Sequence, residues 1–212
     1  YLSILLDCSY AKNSGQFLRT DKSQNISEPS ERIREQIDLL ETSRRSSDIA
    51  DKEFFRRNKA WIGDSRDMKT ADVEPNMVIT SPPYPNRYDY TRSYSLELAF
   101  EFVDTNDELI ELRHNLLRSH IESKVSDKKL KGVHPVVDEV LENLNKKDLN
   151  NNKIPDMIVG YFKDMRESVQ KLSNLVADDA KIFLVVDNVR YEGEVIPVDL
   201  IIADIAKENG FD

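Results

Sequence analysis

The chain is predicted to fold as an α/β domain with a largely parallel sheet flanked by helices. Three observations carry that prediction. Met77-Val78-Ile79-Thr80 and Lys181-Ile182-Phe183-Leu184-Val185-Val186 are near-continuous apolar runs, as expected of strands buried on both faces. Residues 154–177 and 198–207 have the apolar spacing of amphipathic helices. Polar clusters at Asp64, at residues 81–84 and at Asp187-Asn188 follow the strand candidates, and open α/β sheets bind ligands beyond the carboxyl ends of their strands.

In chain order, residues 1–10 are apolar and read as the end of a helix. Residues 11–31, rich in Ser, Asn, Lys and Thr, read as a loop. Residues 31–58 follow a helical pattern through Ile33, Ile37, Leu40 and Phe54, with Ser30 as a candidate cap. Lys59-Ala60-Trp61-Ile62 is a short strand candidate ending at Gly63-Asp64. The run 77–80 is a stronger one, β-branched and stopped by two prolines. Residues 94–102 predict a helix, and residues 108–131 a longer polar one that shifts from acidic to basic through Arg113, Arg118, Lys124, Lys128, Lys129 and Lys131. Residues 146–153 read as a loop. The helix at 154–177 places Met157, Val159, Phe162, Met165, Val169 and Leu172 on its apolar side. The strand at 181–186 is followed by a loop through Gly193 and then by the helix at 198–207. Two portions are expected: an N-terminal helical and loop segment, 1–58, and a catalytic portion, 59–212, with a helical insertion at about 105–153.

With 212 residues, one domain is the default. A net charge of −9 weighs against a surface that grips nucleic acid everywhere, though not against a local basic groove. The one cysteine, Cys8, permits no disulfide within the chain and fits a reducing cytoplasm. His114, His120 and His134 are scattered and read as surface residues, so no metal site is expected. No apolar run approaches the ~20 residues needed to cross a bilayer, and no secretory signal opens the chain. Both ends, inside an apolar run at Tyr1 and at Gly210-Phe211-Asp212, read as interior to a longer polypeptide.

The segment Ser81-Pro82-Pro83-Tyr84 carries the chemistry. Two prolines fix φ and stiffen the residue before each of them, so the Ser81 and Pro82 carbonyls can be held outward as acceptors. An exocyclic amino group on a nucleobase has two N–H donors. The Ser81 side chain and a backbone carbonyl can take one each, while Tyr84 offers a flat face to the base. A rigid turn with no further role is the competing reading. Its position, directly after an apolar strand and ending in an aromatic, favours the functional one.

These residues resemble the catalytic motif of the DNA amino-methyltransferases, which modify cytosine N4 or adenine N6. The resemblance extends through Pro85-Asn86-Arg87-Tyr88-Asp89-Tyr90-Thr91-Arg92-Ser93-Tyr94, residues 96–100, residues 112–120, Asn188-Val189-Arg190-Tyr191-Glu192-Gly193 and Ile196-Pro197. It implies a Rossmann-like methyltransferase fold, present in part, with S-adenosylmethionine as methyl donor, DNA as partner and a cognate restriction endonuclease as a further candidate partner. The catalytic motif maps onto Ser81, Pro82, Pro83 and Tyr84, and serine at its head looks more like the cytosine-N4 form. Asp64, with Ser65 beside it, matches the acidic position near the cofactor's adenine; a helix or turn cap is the alternative. Asn86, Arg87, Tyr88 and Tyr90 match a loop over the flipped base and its phosphates, or a solvated loop entering a helix. The basic end of the 108–131 helix is either a DNA contact or a solvated face. An RNA amino-methyltransferase and a non-catalytic DNA-binding module remain alternatives. The chain departs from the family in one respect: none of its six glycines forms Gly-x-Gly. The resemblance therefore implies a glycine-rich cofactor loop upstream of Tyr1.

Overall fold

A computed structural model describes residues 2–15, 17–46, 60–69, 74–123 and 132–212. The chain divides into two compact units, one from Tyr1–Ile62 and Tyr90–Leu109, the other from Gly63–Asp89 and Ile110–Asp212. Among the described residues there are three two-stranded sheets, of which one is parallel, so the architecture is mixed α/β rather than largely parallel.

In the first unit a 3-10 turn at Leu2–Ile4 precedes β1 (Ala11–Ser14) and β2 (Phe17–Thr20). These strands pair antiparallel, Ala11 opposite Thr20 and Ser14 opposite Phe17, in a stretch expected to be loop. Their polar sequence lacks the alternation that marks a strand, and Gly15, at φ +61°, allows the reversal between them. Helix α1 (Pro29–Ser46) starts with a proline at its first position, where the missing N–H is no loss. Ser30 therefore lies inside the helix, and the Glu28 carboxylate accepts its hydroxyl at 3.0 Å. Phe54 and the rest of 47–59 lie outside the described residues. A short helix α2 (Tyr90–Ser93) precedes the predicted 94–102 region, which α3 (Ser95–Glu101) occupies.

Helix α4 (Asn106–Asn115) is shorter than the predicted 108–131 helix. The chain turns away after Asn115 because the Arg118 amide and side chain are both captured by Asp164. Residues 124–131 lie outside the described region, and with them Lys124, Lys128, Lys129 and Lys131. The strand expected at 59–62 does not form over its described part. Residues 60–62 have no regular structure, and Ile62 is 94% exposed; with no neighbouring strand among the described residues, their backbone joins no ladder there.

The second unit contains β3 (Met77–Thr80), α5 (Pro135–Leu144), α6 (Ile154–Ser173), β4 (Lys181–Leu184), β5 (Val189–Tyr191), β6 (Glu194–Ile196) and α7 (Val198–Glu208). β3 and β4 run parallel with Ile79 opposite Phe183, and the Val185 amide donates to Thr80 beyond the paired residues. β5 and β6 form a hairpin where a loop was expected. Glu192 and Gly193, at φ 45° and 86°, supply the two left-handed residues of a tight hairpin turn. The core joins α5, α6, α7 and β6, with Leu144, Ile158, Phe162, Ile196 and Ile205 fully buried. Of the six apolar residues predicted for α6, all but the half-buried Leu172 are buried.

Two histidine expectations are corrected. His120 and His134 are 2% and 8% exposed. His134 caps α5, its Nδ1 accepting the Val136 amide at 3.3 Å; both lie where the chain turns into the helical core rather than on one long surface helix. His114 is half-buried. No described helix is long and apolar enough to cross a membrane.

Candidate base-binding site

Parallel pairing of β3 with β4 brings two segments a hundred residues apart to one place. Ser81 leaves the end of β3 beside Val185 at the end of β4, and its hydroxyl donates to the Val185 carbonyl at 3.1 Å. The Tyr84 hydroxyl lies 3.1 Å from the same Ser81 oxygen. A serine hydroxyl has one hydrogen, and Val185 takes it, so Tyr84 is the donor in the second bond. One lone pair of Ser81 is then still available to a ligand. The phenol ring of Tyr84 is tied at its tip, and its carbonyl accepts the Asn86 amide at 2.8 Å.

Behind this turn stands Tyr161 of α6, fully buried, its hydroxyl without a hydrogen bond among the described residues. Burial raises its pKa, and the neighbouring Tyr84 phenol raises it further. Tyr161 therefore remains neutral beside Tyr84 at any ordinary pH.

The turn's exit is held as firmly as its entry. Pro85 is buried, and its carbonyl accepts the Tyr191 hydroxyl. Asn86 uses its own side-chain oxygen to accept the Tyr88 amide at 3.0 Å, an Asx turn. Arg87 adopts φ +67°, with its amide donating to Ser119 at 3.1 Å and its guanidinium to Asn150 at 3.0 Å. Tyr88 is half-buried. Tyr90 belongs to the first unit, where its exposed ring stacks nearly parallel to Tyr94 at 6.4 Å.

Asp64 and Ser65 have other partners. Asp64 caps a 3-10 turn at Ser65–Asp67, accepting the Arg66 amide at 2.8 Å and its guanidinium at 2.6–3.1 Å. These side-chain bonds from Arg66 outweigh partial burial and hold the Asp64 carboxyl below its ordinary range; Asp64 in turn raises Arg66. Ser65 lies 3.3 Å from the Ser168 hydroxyl. Arg66 also reaches the Asn115 carbonyl at 2.6 Å and Asp164 at 3.5 Å. Asp164 is completely buried and accepts the Arg118 amide at 2.8 Å and its Nε at 3.0 Å. Gly160 makes room for that arginine, since a Cβ there would lie 2.8 Å from Arg118 Cδ.

The arginines expected on a basic face are thus engaged internally. Arg118 pairs with Asp164, and Arg113 with Asp89 at 3.0 Å and Glu122 at 3.5 Å. The described residues hold no cluster of His, Cys, Asp and Glu that could bind a metal ion. Val185, Tyr161, Tyr191 and Asp164 were not marked as site residues by sequence. Only Tyr191 carried a signal, within the segment 188–193. The others act through a carbonyl, a buried hydroxyl and a long-range ion pair, which leave no local pattern.

No family model matches the chain, and no solved structure matches it. Among curated proteins it is similar to the Type II methyltransferase M.AvaI of Nostoc sp. and of Anabaena variabilis, 35% identical over 245 aligned positions. It is also similar to the Type II methyltransferase M.BsoBI of Geobacillus stearothermophilus, 32% identical over 260. Each alignment covers 99% of this chain, but 50% of M.AvaI and 51% of M.BsoBI. The chain spans about half the length of the curated relatives it matches.

Proposed function

We propose, from a likeness to Type II methyltransferases that runs nearly end to end through this chain, that it forms the base-binding part of an S-adenosylmethionine-dependent DNA methyltransferase. The target is the exocyclic amino group of a base turned out of the duplex, cytosine N4 ahead of adenine N6. The observation that carries this reading is the hydrogen-bond chain from Tyr84 through Ser81 to Val185. It leaves on Ser81 one outward acceptor, set beside the stiff carbonyls of a double proline.

The chemistry follows from that arrangement. An amino group conjugated to a base ring is a poor nucleophile because its lone pair is spread into the ring. Two acceptors, the remaining Ser81 lone pair and the Pro82 carbonyl, align its N–H bonds and turn the lone pair out of conjugation. Tyr84 supports the base face, worth ~1–3 kcal/mol for stacking on an aromatic, against the few kcal/mol that unstacking a base costs. S-adenosylmethionine, when bound, supplies a methyl sulfonium electrophile, so positioning and fixed dipoles do most of the work. Asp64 and Ser65 fit the adenosine end in part. The Asp64 side chain is 46% exposed, yet Arg66 donates to both of its oxygens. Asp64 would accept from the cofactor's adenine there in exchange for one Arg66 bond. Asn86, Arg87 and Tyr88 belong to the loop that meets the target strand, and Tyr90 opens the helix that follows in sequence.

The test is methyl transfer by the intact protein from labelled S-adenosylmethionine to duplex DNA and to RNA of the same sequence, followed by nucleoside analysis. The proposal expects label in DNA as N4-methylcytosine. Label in RNA alone, or cofactor and DNA binding without transfer, would replace it by the RNA-modifying or the non-catalytic reading.

A further inference from the structure

Of the groups around the Ser81 turn, Tyr191 combines burial, a direct bond to the turn and no role in the chemistry above. Its side chain is 8% exposed. It sits at the end of β5, next to the left-handed pair Glu192 and Gly193. That hairpin is fastened to the helical core: Lys147 donates to the Glu192 carbonyl at 2.7 Å and pairs with Glu194 at 2.6 Å, and Ile196 is fully buried. From this fixed base the Tyr191 hydroxyl donates to the Pro85 carbonyl, one residue past Tyr84. The Arg87 guanidinium lies over the Tyr191 ring, 5.8 Å from its centroid.

Arg87 gives the second observation. Its φ of +67° lies in the left-handed region, where a residue with a Cβ is strained. Such a conformation persists where its surroundings hold it. Here they are the Ser119 carbonyl, Asn150 and the Tyr191 ring. The backbone therefore reverses abruptly after Pro85, and both the residue before the reversal and the residue at it are held by Tyr191.

We propose that Tyr191 is a positioning residue for methyl transfer: through the Pro85 carbonyl and the Arg87 guanidinium it fixes how the 81–84 turn leaves the sheet, and so the angle of the Tyr84 ring. This rests on the reading of Ser81 and Tyr84 as the base-binding motif. The hydroxyl is suited to a lasting contact. Burial pushes its pKa up to about 12, so it remains a donor across the working pH range of an enzyme.

The test compares the wild type with Tyr191→Phe, which keeps the ring and removes only the hydroxyl. Asn150→Ala, at an exposed site, releases Arg87 from one anchor without touching the core. In the intact protein, Tyr191→Phe is expected to lower kcat roughly fivefold, the factor one ordinary hydrogen bond gives, with KM for S-adenosylmethionine unchanged. Asn150→Ala is expected to lower kcat in the same sense by less. Wild-type kcat in both variants, with only a lower melting temperature in Tyr191→Phe, would make Tyr191 a packing residue and overturn the proposal. Tyr84→Ala separates the two levels of inference. An inactive Tyr84→Ala beside a fully active Tyr191→Phe removes the positioning role alone, whereas an active Tyr84→Ala removes the base-binding reading and this one with it.

Discussion

Ser81 performs two tasks with one hydroxyl. Its hydrogen locks the end of β3 to the Val185 carbonyl, and one of its lone pairs orients Tyr84. Ser81→Ala removes both and also the acceptor offered to the amino group. The expected result is a fall in kcat of about tenfold or more, with KM for S-adenosylmethionine little changed. Tyr84→Phe keeps the stacking face and loses only the bond to Ser81, so its loss is expected to be smaller than that of Ser81→Ala. Steady-state kinetics of the two variants decides the order. Asp64 makes a prediction with a sign. Its carboxyl is held below the ordinary value of ~3.9 by Arg66. The Arg66 pair is therefore fully present above that ordinary value and is lost only as pH falls through the depressed one. The stability that the pair contributes should stay flat from neutral pH down to about 4, then fall below it; an Asp64→Asn variant should have lost that acid limb. Urea unfolding across pH reads both.

At the scale of elements, α6 organises the second unit. One side packs Ile158 and Phe162 into the core, and Asp164 on the same helix takes the Arg118 and Arg66 guanidiniums. Removing one member of a buried pair leaves the other uncompensated, so Asp164→Ala is expected to destabilise the fold by about 3–5 kcal/mol. Gly160→Ala, one turn earlier, drives a methyl group against Arg118 and is expected to cost about 1–3 kcal/mol by overpacking. Thermal or urea unfolding of both measures this; an Asp164→Ala protein as stable as wild type would remove the hub from the account. The sequence made β3, β4, α6 and α7 legible because their signals are local: apolar runs, helical spacing and a proline stop. It made the 81–84 turn legible for the same reason. The hairpins at 11–20 and 189–196 were hidden: the first has a largely polar sequence without alternation, and the strands of the second, Val189–Tyr191 and Glu194–Ile196, are too short to show one. The end of α4 was hidden as well, because it is decided by Asp164, which lies 46 residues beyond Arg118. Asp64 looked like the end of a strand, but among the described residues none forms before it at 60–62.

At the scale of the molecule, the core and the sheet differ in how much water they exclude. Ile196 is fully buried, whereas Ile79, opposite Phe183 on the parallel pair, is 72% exposed. Ile196→Ala is therefore expected to cost about 2–5 kcal/mol, and Ile79→Ala within about 0.5 kcal/mol of nothing, as unfolding of this 212-residue chain would read directly. Those values describe a core built mainly from helices, with the 81–84 turn carried on the short parallel pair and steadied by the β5–β6 hairpin. The central claim is that Tyr84 is the face on which a target base rests. The most direct measurement is single-turnover methylation of duplex DNA by the intact Tyr84→Ala protein, with S-adenosylmethionine affinity measured alongside. The account predicts cofactor binding as in wild type and a methyl-transfer rate lowered roughly 5- to 150-fold, the kinetic equivalent of one lost base–aromatic stack. Methylation at the wild-type rate with alanine at position 84 would contradict it.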